Sequence, residues 1–65
     1  MRNIVRETRE KRGMTISELS RQSGVSRQTI YNIETNPNWQ VDASKMEAIA
    51  KALKCKVPSI FLFEV

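Results

Sequence analysis

Sixty-five residues with a formal net charge of +4, 40% hydrophobic and 28% charged, describe a single domain over residues 1–65 with a thin core, because a chain this short buries only about 60% of the surface it exposes when unfolded. One cysteine and no histidine exclude a disulfide framework and a four-ligand zinc site, so the expected supplement to the core is a second subunit, with no metal and no cofactor. No window approaches the ~18 apolar residues of a membrane span, and Met1 to Ile4 open into charged sequence without a signal-peptide apolar region; a cytoplasmic protein is expected.

The basic excess is uneven: residues 1–13 carry five basic and two acidic groups, residues 14–40 two and two, and residues 41–65 four and three. Such a balance favours a polyanionic partner, although a solvated helix face would read the same way.

In chain order, Ile4 to about Arg12 is rich in helix formers and predicts a first helix stopped by Gly13 in the left-handed region. Its apolar stripe is weak, with Thr8 where a larger residue would seal a core. Thr15-Ile16-Ser17-Glu18 reads as a capping box, the threonine oxygen accepting from the backbone three residues on and the glutamate reaching back to the cap. The helix it opens is short, since Gly24 supplies the positive φ of a sharp turn. Ser26 then caps a third helix through Glu34, with Ile30 and Ile33 inward and Arg27, Gln28, Tyr31 and Asn32 on the polar face. Asn36-Pro37-Asn38 makes the next stretch a loop.

Asp42 caps a fourth helix, Ala43 to about Lys54, whose Ala43, Met46, Ile49, Ala50 and Leu53 keep the spacing of a core stripe. Pro58 suits the first turn of a short fifth helix, and Ile60 to Val65 suits a strand. In that strand Ile60 and Leu62 oppose Phe61, Phe63 and Val65; with both faces apolar, one covers the core and the other needs a partner. Phe61, Leu62, Phe63 and Val65 are accordingly the expected dimer interface, and residues 61–65 a dimerisation tail.

Two short helices joined at Ser23-Gly24-Val25, the second polar outside, form the helix-turn-helix pattern, whose second helix fits a major groove about 12 Å wide. Counting from Ile16, a small residue stands fifth (Ser20), glycine ninth (Gly24) and branched aliphatics fifteenth and eighteenth (Ile30, Ile33). These allow close helix approach, the turn, and a locked crossing angle. A purely structural helical hairpin is the competing reading of the same spacing. Thr15 and Ser17 lie at the first turn of the second helix, where free N–H groups and the positive dipole end favour a phosphate. Asn36, Asn38 and Lys45 would flank the phosphates from the far side.

From Ile4 to Phe61 the sequence resembles the lambda-repressor-like, Cro/Xre-type helix-turn-helix regulators. The matching residues include Arg9, Gly13-Met14-Thr15, Glu18-Leu19, Gly24-Val25-Ser26-Arg27-Gln28-Thr29-Ile30, Ile33-Glu34, Ile49-Ala50-Lys51-Ala52-Leu53 and Ile60-Phe61. The resemblance implies an all-α domain of four to five short helices, here with a short C-terminal dimerisation strand. It also implies base contacts from Ser26, Arg27, Gln28 and Asn32, with Tyr31 beside them, and an ion pair between Arg9 and Glu34. Arginine suits guanine O6/N7, and glutamine or asparagine suits adenine N6/N7.

The chain departs from the family pattern in four places. A common glutamine at the start of the second helix is Ile16, a leucine of the first helix is Thr8, the glycine after the fourth helix is Lys54, and the loop around Trp39 is about one residue longer. Trp39 is expected as a lid on the core, and Cys55, at a small buried aliphatic position, as an inert thiol.

The function expected is a sequence-specific double-stranded DNA-binding regulator, a nucleoid-associated homodimer that represses from an inverted-repeat operator. An antitoxin or antirepressor-like module whose main partner is another protein is the alternative. No enzyme is expected: nucleophile elbow, phosphate-cradling glycine loop and paired catalytic carboxylates are all missing.

Overall fold

Three capped helix starts set the frame of the computed structural model, which describes residues 2–62. Thr15 Oγ1 accepts from the Glu18 N–H at 3.1 Å, Ser26 Oγ from Thr29 at 3.2 Å and Asp42 Oδ1 from Lys45 at 2.8 Å. Each residue is extended, and its side-chain oxygen replaces a missing helical acceptor. The described elements are β1 (Arg2–Asn3), α1 (Val5–Lys11), α2 (Ile16–Ser23), α3 (Arg27–Thr35), α4 (Ala43–Ala52), α5 (Val57–Ile60) and β2 (Phe61–Leu62). The mostly helical architecture is the expected one, and helix bounds agree to within about two residues.

Helices α1 and α4 end in the same hydrogen-bonded motif. After α1, Gly13 N–H donates to Glu10 O and Met14 N–H to Arg9 O, both at 3.0 Å. After α4, Lys54 N–H donates to Lys51 O at 3.0 Å and Cys55 N–H to Ala50 O at 2.8 Å. Both are Schellman turns, which need a left-handed residue at their corner. Gly13 supplies φ +69° at no steric cost, whereas Lys54 is held at φ +57° against the clash of its Cβ.

Packing is centred on Val5, Leu19, Val25, Ile30, Ile33, Ile49, Leu53, Ile60 and Phe61, all within 5% of full burial. Val5 is the buried apolar residue of α1, and half-buried Thr8 confirms its thin stripe. Of the α4 stripe, Ile49 and Ala50 are buried, Met46 is half-buried and Ala43 exposed.

Three expectations are corrected. The C-terminal strand pairs with the chain's own β1, antiparallel, Arg2 with Leu62 and Asn3 with Phe61; no strand was expected at residues 2–3. Ile60 and Phe61 are both buried, because Ile60 still belongs to α5 and the strand begins one residue later. Phe61 therefore has no surface left for a second subunit, while Leu62 is 41% exposed and Phe63 and Val65 lie outside the described residues. Trp39 is 38% exposed and takes no part in the core cluster, so it is not the expected lid; its backbone N–H donates to Asn36 O at 3.0 Å within the loop.

Candidate nucleic-acid interface

Gly24 ends α2 at φ +77°, and its N–H donates to Ser20 O at 2.8 Å. Val25 N–H donates to Ser23 Oγ at 3.1 Å, and Val25 is buried, so the turn is anchored before Ser26 starts α3. The Ile30 and Ile33 side chains then face the core, and helical geometry places Arg27, Gln28 and Tyr31 outside, all exposed, with Asn32 half-buried.

This outer face is lightly tied. Gln28 Nε2 donates to Asn32 Oδ1 at 3.3 Å, an i, i+4 pair that aligns two amides side by side. Tyr31 is 53% exposed, and Arg27 has no partner among the described residues. Ser26 differs, since its hydroxyl also donates to Thr29 Oγ1 at 2.8 Å and is engaged within the helix.

The buried side of α3 is clamped twice at its C-terminal end. Arg9 Nε donates to Glu34 Oε2 at 2.9 Å and Nη2 to Oε1 at 3.1 Å, while Nη1 donates to Met14 O at 2.8 Å. This bidentate pair is the one expected from the resemblance, with side chains only 11% and 3% exposed. The bonds to Glu34 raise the Arg9 pKa above its already high ordinary value, outweighing the lowering by burial. The guanidinium stays charged.

The second clamp was not expected. In a continuing helix the Ile33 carbonyl would accept from residue 37, but residue 37 is proline and has no N–H. Asn3 Nδ2 supplies the donor at 3.0 Å, while its Oδ1 accepts from Val5 N–H at 3.1 Å and opens α1. The signal for an orphaned carbonyl was in the sequence at Pro37; the donor, thirty residues away, was not.

The expected phosphate-facing residues surround α3 in differing states. Thr15 and Ser17 are exposed at the start of α2. The capping box is incomplete: the Thr15 hydroxyl donates to Glu18 Oε1 at 3.4 Å, so the glutamate meets the hydroxyl and not the Thr15 backbone. Ile16, in place of the common glutamine, packs half-buried against the core. Asn36 Oδ1 accepts from Asn38 N–H at 3.0 Å, shaping the loop. Lys45 Nζ lies 2.9 Å from Asp42 Oδ2, so this cation is already paired with the α4 cap. Asp42 is held below the ordinary carboxylate range, chiefly by the Lys45 N–H and then by its ammonium.

Cys55 is half-buried, taking Arg12 Nη2 at 3.3 Å and donating to Leu53 O at 3.3 Å. Among the described residues no group of three or more acidic or cysteine side chains is placed to hold a metal ion, and no helix is long and apolar enough to cross a membrane.

A short helix, a glycine turn and a second helix with its inner face locked and its polar face free define a helix-turn-helix DNA-binding domain. A family model described as helix-turn-helix matches residues 5–60. An uncharacterized HTH-type transcriptional regulator of Archaeoglobus fulgidus is 37% identical over 67 residues, spanning 98% of this chain and 90% of that protein. The chain belongs to the helix-turn-helix family, a family of DNA-binding transcription regulators and not of enzymes.

Proposed function

We propose that the protein represses transcription by occupying an inverted-repeat operator as a homodimer, each copy laying α3 in a major groove. The observation that carries this reading is the row of exposed Arg27, Gln28 and Tyr31 with half-buried Asn32 beside them, on a helix whose buried side is held by Arg9 and Asn3. A rigid helix with unspent donors suits base-edge reading, because the groove need not first order the reader.

Arg27 reads guanine, Gln28 and Asn32 act as a joined amide pair toward adenine, and the Tyr31 ring covers a thymine methyl or reaches a phosphate. Ser26, engaged in its cap, meets the base edge as an acceptor only. Thr15 and Ser17 seat one phosphate at the start of α2, while Asn36, Asn38 and Lys45 flank another, Lys45 exchanging Asp42 for DNA. Of the expected dimer residues, Leu62 is the one that the described chain leaves exposed for the second subunit, and half-sites about one DNA turn apart follow from two-fold symmetry.

The test is selection of bound sequences from a random duplex pool, repeated with Arg27→Ala. A palindrome with one position relaxed in the variant by about 1–3 kcal/mol of discrimination supports both dimer and reading helix. Affinity for the selected site should also fall steeply between about 50 and 200 mM salt. Failure to enrich any sequence would leave the regulator reading without support and favour a protein partner.

A further inference from the structure

A groove of about 740 Å³ lies between the C-terminal ends of α1 and α4, within the range typical of small-molecule sites. None of the outer-face residues of α3 lines it. Its apolar wall is Ile4, Met14, Ala52 and Ile60, and its cations are Lys11, Arg12 and Lys54. These three make no ion pair with an acid among the described residues; Arg12 donates instead to the thiol of Cys55, another lining residue. The local charge can be weighed. Two helix ends contribute about half a negative charge each and Glu18 one more, so the three cations leave an excess of about one positive charge.

Lys54 adds an independent observation. It occupies the left-handed corner that Gly13 fills in the matching turn across the groove, so a strained backbone holds a lysine at the rim.

We propose that this groove binds a small organic acid with an apolar body, the acid group taken by Arg12 and Lys54 and the body laid on Met14, Ala52 and Ile60. Met14 also ties the groove to α3: its carbonyl accepts from Arg9, and Arg9 holds Glu34. Occupancy therefore changes the affinity for DNA. This last step rests on the DNA-binding reading; the site itself does not.

The experiment titrates the full chain with decanoate, and with decanol as an uncharged control, following backbone amide shifts by NMR in wild type, Arg12→Gln and Lys54→Gly. Saturable shifts centred on Thr8, Gly13, Met14 and Cys55 are expected, with affinity weaker by about tenfold in each variant. Lys54→Gly relieves the strained turn, so loss of binding there is not loss of fold. Absence of saturable shifts, equal binding of decanol, or equal affinity in the variants overturns the site. Unchanged DNA affinity at saturating decanoate overturns the effector role. A chain that takes up decanoate yet selects no DNA sequence overturns the proposed function and leaves the groove site standing.

Discussion

The two faces of α3 are built on opposite rules. The buried side ties polar groups at its C-terminal end to the chain's own residues: Glu34 to Arg9, the Ile33 carbonyl to Asn3. The outer face leaves Arg27 and Tyr31 exposed and joins Gln28 to Asn32 by a single bond at 3.3 Å. Stability is therefore concentrated on the buried side, and the exposed side is where folding makes little demand. A thin core makes that separation useful, because the exposed side can change without weakening the domain.

The separation can be broken hardest at Arg9. Arg9→Ala leaves the Glu34 carboxylate buried without its partner and is expected to cost about 3–5 kcal/mol in urea denaturation; replacing both residues by methionine should cost clearly less. Next comes Asn3→Asp, which keeps the acceptor for Val5 N–H but sets an oxygen against the Ile33 carbonyl. A loss of about 1–3 kcal/mol is expected, with faster amide exchange at the C-terminal end of α3; unchanged exchange would show that the clamp does not hold the helix.

Lys54→Gly is a control remote from α3. Removing the Cβ from the left-handed corner should stabilise the chain by about 1 kcal/mol, raising the melting temperature with no change in which bases are selected. On the outer face, Arg27→Ala should move stability by no more than about 0.5 kcal/mol while relaxing the selected sequence. A large loss of stability there would end the division between the two faces.

The smallest effect is expected with pH. Asp42 has a lowered pKa in the folded chain, so its carboxylate favours folding fully above the ordinary carboxylate range, and that contribution fades as pH falls through the lowered value. Acid titration of the melting temperature should show this limb shrink in Asp42→Asn, with the neutral-pH plateau retaining the cap.

What was legible from residue order is what neighbours decide. Thr15, Ser26 and Asp42 cap helices because their acceptors lie three residues from the donors they satisfy, and Gly13 and Gly24 mark turns because only they take positive φ freely. Helix α3 and its inward side followed from those caps and from Ile30 and Ile33. Lys54 shows the limit of that logic: the α4 turn keeps its left-handed corner without glycine, since Cys55 to Ala50 and the core contacts around Leu53 impose it.

Only the tertiary structure decided the rest. Phe61, read as a dimer contact, is buried because β2 pairs with β1 and carries it under the chain's own helices. Trp39, read as a lid, stays at the surface, outside the cluster of residues packed on the core. Asn3 became a clamp because strand pairing brings it to an Ile33 carbonyl that Pro37 cannot serve. Partners within a few residues are dictated by backbone geometry, whereas a partner thirty residues away is chosen by how whole elements pack, and no local pattern encodes that choice.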